Sequence, residues 1–176
     1  MTCIIAFSHN DKVYMAGERG HSDSSILAAS KQPKIFRIND YLLGYSGATG
    51  QGQLIAYRFS FPPVPKAVDV NEYMVSEIAP LLRTFYQSYE INTDKEEDCA
   101  DFIVGVKGRV FEISSYDFQC VEYDVTAIGS GREYALGAYH AISQYEIDPE
   151  QILRTCVEAA VAYSPSCKGP IDIFVT

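Results

Sequence analysis

Apolar residues in this chain fall into short blocks divided by turn-forming residues, and their spacing switches between strand-like and helical. CIIAFS (3–8) and KVYMAG (12–17) flank His-Asn-Asp, which predicts a hairpin. ERGHSDSS (18–25) is polar and turn-like, and KIFRI (34–38) with YLLGYSG (41–47) around Asn39-Asp40 predicts a second hairpin. ATGQGQLIAYRFSF reads as a helix begun through glycines, and the proline-rich FPPVPK (61–66) as a connector. Tyr73, Ile78, Leu81, Leu82 and Phe85 recur at helical spacing, with Pro80 implying a kink or break. DFIVGV and RVFEIS, joined by Lys107-Gly108, form a third hairpin; QCVEYD and VTAIGSG add strand material. REYALGAYHAISQY and PEQILRTCVEAAVAY read as amphipathic helices, and the alternating IDIFVT as a last strand.

Hairpins imply antiparallel sheets, and helices grouped between them must cover an outer sheet face. The expected architecture is α+β: a four-layer αββα sandwich of two antiparallel sheets flanked by helices. No repeat of solenoid period interrupts it. At 176 residues one domain spanning 1–176 is expected, long enough to bury a substantial core.

Charge and cysteine usage narrow the function. The formal net charge of −9 argues against nucleic acid or an anionic membrane as partner. Part of that excess lies in TDKEEDCAD (93–101), read as a solvated loop. Cys3, Cys99, Cys120, Cys156 and Cys167 form no CxxC pair and the histidines do not cluster beside them, so no metal site is expected. An odd cysteine count, with no secretory leader visible, points to reduced thiols in the cytoplasm. No stretch approaches the roughly 20 apolar residues of a membrane span.

The remaining chemistry gathers at the start of the chain. Removal of Met1 would leave Thr2 with a hydroxyl nucleophile and a free amine on one residue. That amine has a pKa of roughly 7.7–8.0 and can serve as a general base. Glu18 and Lys34 follow Thr2 at sixteen and thirty-two positions, where two hairpins can bring both beside it. A lysine there would favour loss of the hydroxyl proton, and a desolvated lysine needs a carboxylate, for which Glu18 is the candidate. The alternative is that both are surface charges at strand ends and that Met-Thr is a chance beginning. Cys3, alternating with Ile4, reads as a packed strand residue rather than a nucleophile.

With MAGERG ending the second strand, KQPKIFRIND around the lysine, LLGYSGATGQGQ and TAIGSGREYALGA, the chain resembles the threonine peptidases of the N-terminal nucleophile class, the proteasome β-subunits and HslV. The likeness spans nearly the whole chain and is weakest over residues 61–99. It implies that Thr2 is nucleophile and base, that Lys34 tunes it, held by Glu18, and that the N–H of Gly47 faces the oxyanion. Gly47 equally suits a plain strand-to-helix turn. It also implies that Ser130 hydrogen-bonds near the amine, although Ser130 also reads as a helix N-cap. Arg19, Gly20, His21 and Ser22 correspond to the edge that pairs an extended peptide, and His21 and Gln32 border the specificity pocket. Glu18 stands where the family has aspartate, and Val161 where it commonly has another, leaving Ser164 or Ser166 as substitutes.

The implied activity is a self-compartmentalising threonine endopeptidase, active once Met1 is removed. It would act without cofactor on peptide or unfolded protein, as a homo-oligomeric ring with an ATPase unfoldase partner. Two alternatives keep the fold: an amidohydrolase, acyl transferase or transpeptidase on a defined substrate, and an inactive structural subunit.

Overall fold

The computed structural model describes residues 2–22 and 26–176. Met1 and positions 23–25 of the predicted polar turn lie outside the described residues. One sheet has the order β10-β1-β2-β11, formed by β1 (Ile4–His9), β2 (Lys12–Glu18), β10 (Val125–Ile128) and β11 (Ile171–Val175). The other runs β5-β6-β7-β8-β9, from β5 (Ile35–Ile38), β6 (Tyr41–Gly47), β7 (Ala100–Val106), β8 (Arg109–Ser114) and β9 (Cys120–Tyr123). Every pairing in both sheets is antiparallel. Helices α4 (Arg132–Ile142) and α5 (Pro149–Tyr163) cover the first sheet. Helices α1 (Thr49–Arg58), α2 (Val70–Tyr73) and α3 (Ala79–Ser88) cover the second.

The four layers explain why the strand runs are apolar at successive positions. In β1, Ile5 and Phe7 pack with Leu153, Cys156 and Val157 of α5, while Ile4 and Ala6 point between the sheets. In β6, Tyr41, Leu43 and Tyr45 face the helices and Leu42 faces the opposite sheet. Both faces of β1 and β6 are therefore buried, and the alternation of a half-exposed sheet is lost there. The sheets approach closely at Gly44, where a Cβ would lie 2.9 Å from Ile4 Cγ2 and 3.1 Å from Met15 Sδ.

Several local expectations are corrected. ERGHSDSS is not a plain turn: it begins with the last residue of β2 and carries β3 (Gly20–Ser22), which pairs with β4 (Leu27–Ala29) just beyond it. The break expected at Pro80 falls one turn earlier, in a π-helical turn over Met74–Ile78 closed by Ala79 N–H onto the Met74 carbonyl. Proline lacks a donor, and the widened turn accommodates that loss while Pro80 sits in the first turn of α3. The acidic loop ends sooner than read, because Ala100 and Asp101 already belong to β7. No helix among the described residues is long and apolar enough to cross a membrane.

Candidate active site

Pairing within the first sheet fixes the chain start. Glu18 N–H donates to the Cys3 carbonyl at 3.2 Å, and Cys3 N–H donates to Glu18 Oε1 at 3.1 Å. On the other side of β1, Ile4 is opposite Ile128, which brings the loop Gly129-Ser130-Gly131 against Thr2. Gly131 N–H donates to the Thr2 carbonyl at 3.0 Å. Gly129 has φ of +88°, and a Cβ there would collide with that same carbonyl oxygen. Only glycine combines this backbone with so close an approach.

Lys34 arrives from the second sheet, immediately before β5, with its carbonyl accepting from Tyr45 N–H at 3.1 Å. Its Nζ donates to Thr2 Oγ1 at 2.7 Å, to Glu18 Oε1 at 3.0 Å and to the Gly20 carbonyl. Thr2, Glu18 and Lys34 are all buried. A buried carboxylate is costly unless its lone pairs are matched by donors. Glu18 Oε1 has Cys3 N–H and Lys34, while Oε2 accepts from Lys168 N–H at 2.8 Å and from Gly20 N–H. The ion pair is thus enclosed and satisfied, with one ammonium hydrogen on the threonine hydroxyl.

The other predicted site residues are distributed around this centre. Gly47 ends β6 with φ of +78°, and a Cβ there would run into the Cys99 carbonyl oxygen. It directly precedes α1, whose N-cap Ala48 offers no side-chain acceptor. Ser130 does not cap α4: Gly131 occupies the N-cap, without a side-chain cap bond. Instead Ser130 Oγ lies 2.8 Å from Ser166 Oγ, which lies 3.1 Å from Ser164 Oγ. Both of the serines weighed as substitutes are buried and belong to one chain of hydroxyls that ends at the exposed Ser130, while Val161 packs with the core beneath α4 and α5.

Arg19 is committed to structure. Its Nε and Nη2 donate to Asp172 at 2.7 and 2.5 Å, and Nη1 donates to the Lys31 carbonyl at 2.9 Å. Gly20 has both backbone groups engaged, by Glu18 and Lys34. Ser22 Oγ is buried with no hydrogen-bond partner among the described residues. His21 and Gln32 line a cleft of about 220 Å³ together with Lys34, Tyr45, Thr49 and Gln53. Gln53 spans it, its Nε2 donating to Gln32 Oε1 at 2.8 Å.

Sequence reasoning missed Gly129, Gly131 and Lys168, which act through backbone N–H groups or by lacking a side chain; the GSG between a strand and a helix was the available signal for the glycines. Cys3 is fully buried, and burial drives its thiol far above the ordinary range. Burial also raises the Cys167 thiol, against an opposing hydrogen bond with Ser164. Among the described residues, no group of three or more His, Cys, Asp or Glu could hold a metal ion.

Solved structures share this architecture. The chain superposes on Thiobacillus denitrificans BPH in complex with epoxomicin with a TM-score of 0.82, at 20% identity, covering 99% of this chain and 98% of that one. HslV from Trypanosoma brucei matches with a TM-score of 0.72 at 21% identity, over 99% and 98% of the two chains. The fold is that of the proteasome and HslV type, two antiparallel sheets with flanking helices. The family model described as Proteasome subunit matches residues 1–168, and the chain belongs to that family. A curated relative, the proteasome subunit beta of Acidothermus cellulolyticus, is 21% identical over an alignment of 177 positions that covers 90% of this chain. The chain spans 58% of that relative's length.

Proposed function

We propose that this chain is a threonine endopeptidase subunit of a self-compartmentalising protease, with Thr2 as its nucleophile once Met1 is removed. The observation that carries this reading is the 2.7 Å hydrogen bond from Lys34 Nζ to Thr2 Oγ1, inside an ion pair closed by Glu18. A cation at that distance favours the alkoxide that forms as the proton leaves.

Thr2 Oγ1 attacks the scissile carbonyl carbon while the freed α-amine takes the hydroxyl proton. The tetrahedral oxyanion is met by the N–H of Gly47, beside the uncapped N-terminus of α1, where the helix dipole adds to the attraction. The C–N bond breaks, the ammonium returns its proton to the leaving amine, and an ester to Thr2 remains. Water then attacks the ester with the α-amine as base, releasing the carboxylic acid and restoring Thr2. The chain of Ser130, Ser166 and Ser164 orders the surroundings of the amine.

An extended peptide adds to β3 through Ser22, because the N–H and carbonyl of Gly20 are already occupied. Its side chain enters the cleft bordered by His21 and Gln32. Arg19 braces that edge from behind through Asp172. The natural substrate is peptide or unfolded protein. The working assembly is a homo-oligomeric ring of single domains spanning 1–176, fed by an ATPase unfoldase in the cytoplasm. Heterologous contacts close such rings.

Mass spectrometry of the purified protein tests this directly. The expected result is a mature N-terminus at Thr2 and one adduct with a threonine-directed β-lactone, or with epoxomicin, that vanishes in Thr2→Ala. A mature protein with Thr2 exposed that forms no adduct overturns the reading. Retention of the preceding residue in the cell makes the chain a structural subunit.

A further inference from the structure

Gly20 has no chemistry of its own, no positive φ and no turn to make, yet it stands in the tightest part of the buried ion pair. A Cβ at this position would overlap Glu18 Oε2 and lie 2.7 Å from Lys168 N and 3.2 Å from Lys168 Cβ. The empty volume of Gly20 is the space that Oε2 occupies. From there the carboxylate reaches the N–H groups of Gly20 and Lys168, while Oε1 keeps Lys34 and Cys3 N–H. Glu18 has no exposed surface, so a displaced carboxylate has no path to water.

We propose that Glu18 and Gly20 are a matched pair, with Gly20 a positioning residue for the Thr2–Lys34 contact: the missing side chain at 20 admits a carboxylate one methylene longer than aspartate. The inference rests on reading Thr2 as the nucleophile, and it adds a residue that acts only through Glu18 and Lys34. A methyl group at 20 pushes Oε2 off the Lys168 N–H. The carboxylate moves as a unit, so Oε1 shifts too, and Lys34 Nζ leaves the line from Glu18 to Thr2 Oγ1. The Gly20 carbonyl, which also accepts from Lys34, moves with its own backbone. Shortening residue 18 withdraws the carboxylate by about 1.5 Å, the length of one C–C bond, and makes room for that methyl.

The test is a double-mutant cycle on the mature protein, read in two ways. The first readout is the rate of β-lactone labelling of Thr2 against pH; the second is the thermal midpoint. Gly20→Ala is expected to slow labelling roughly 30-fold or more, since a displacement near 1 Å at a reacting group costs up to about 100-fold. Glu18→Asp alone should cost about 5-fold, and Gly20→Ala added to it less than about 3-fold, with the parent's pH profile restored. Should Gly20→Ala not accumulate as folded protein, recovery of fold and labelling in the double variant supports the pairing equally. Losses that multiply, a single variant as reactive as the parent, or a double variant no better folded than Gly20→Ala overturn it. If the parent itself does not label but the thermal midpoints show the same rescue, the nucleophile reading fails and the pairing stands.

Discussion

Lys34 Nζ and Thr2 Oγ1 stand 2.7 Å apart, although the two residues come from the leading ends of strands in different sheets. The contact exists only because the sheets stack, and it crosses the layer that holds Ile4, Met15 and Leu42. Packing between sheets is thus what sets the electrostatics of the candidate nucleophile.

Lys34→Ala should therefore slow β-lactone labelling of mature Thr2 at neutral pH by about 100-fold or more, the range typical of a lost acid–base or oxyanion partner. The same change leaves Glu18 buried without its cation, at a cost of about 3–5 kcal/mol in stability. Chemical denaturation of the variant measures that cost, and labelling is compared on folded protein. Labelling as fast as the parent's would remove Lys34 from the mechanism.

Much of this centre was legible because strands and hairpins announce themselves by short apolar runs and turn residues. β1, β2, β5 and β6 fall where the pattern put them, so Glu18 and Lys34 arrive together. Much of what stayed hidden lies in the backbone and in the meeting of separate loops. Gly131 N–H on the Thr2 carbonyl and Lys168 N–H on Glu18 depend on loop geometry, which residue types encode weakly. Ser130 shows the same limit, since a serine before a helix reads as a cap and instead meets Ser166 from another loop. β3 and β4 escaped notice because polar GHS and short LAA carry no periodicity long enough to count.

Cys3, next to Thr2, offers a clean contrast in nucleophile. It is fully buried and its thiol is held protonated by that burial, so Cys3→Ala should leave labelling within about 3-fold of the parent. Iodoacetamide should likewise leave the reaction of Thr2 intact on the labelling timescale. Loss of the adduct in Cys3→Ala with unchanged thermal stability would shift the chemistry to the thiol.

Two glycines should respond in opposite directions to the same substitution. Gly137 lies exposed within α4, with nothing within 4 Å of an added Cβ. Gly137→Ala should stabilise the fold by about 0.5–1 kcal/mol, or roughly 1–4 °C in melting temperature. Gly129→Ala combines a φ of +88° with a collision against the Thr2 carbonyl. It should lower the melting temperature and displace Thr2, so that labelling falls with it. Differential scanning calorimetry reports both signs.

Asp101, on β7 opposite Ser46 and Ser114, has its pKa raised, chiefly by burial, against a hydrogen bond with Ser114 and the charge of Arg132. The folded protein binds this proton more tightly than the unfolded chain does. Its contribution to stability therefore falls as pH rises through the carboxylate range and returns on acidification. Asp101→Asn should raise the melting temperature at about pH 7, with the gain over the parent shrinking toward about pH 4. A constant difference across that interval would contradict the assignment.

The first residues of a folded chain are ordinarily its loosest part. Here Thr2 is moored at three points: its carbonyl by Gly131, its hydroxyl by Lys34, and the adjoining amide of Cys3 by Glu18. Its aim is consequently set when the chain folds, and in the proposed reaction an arriving carbonyl would meet an alcohol that has no search left to perform.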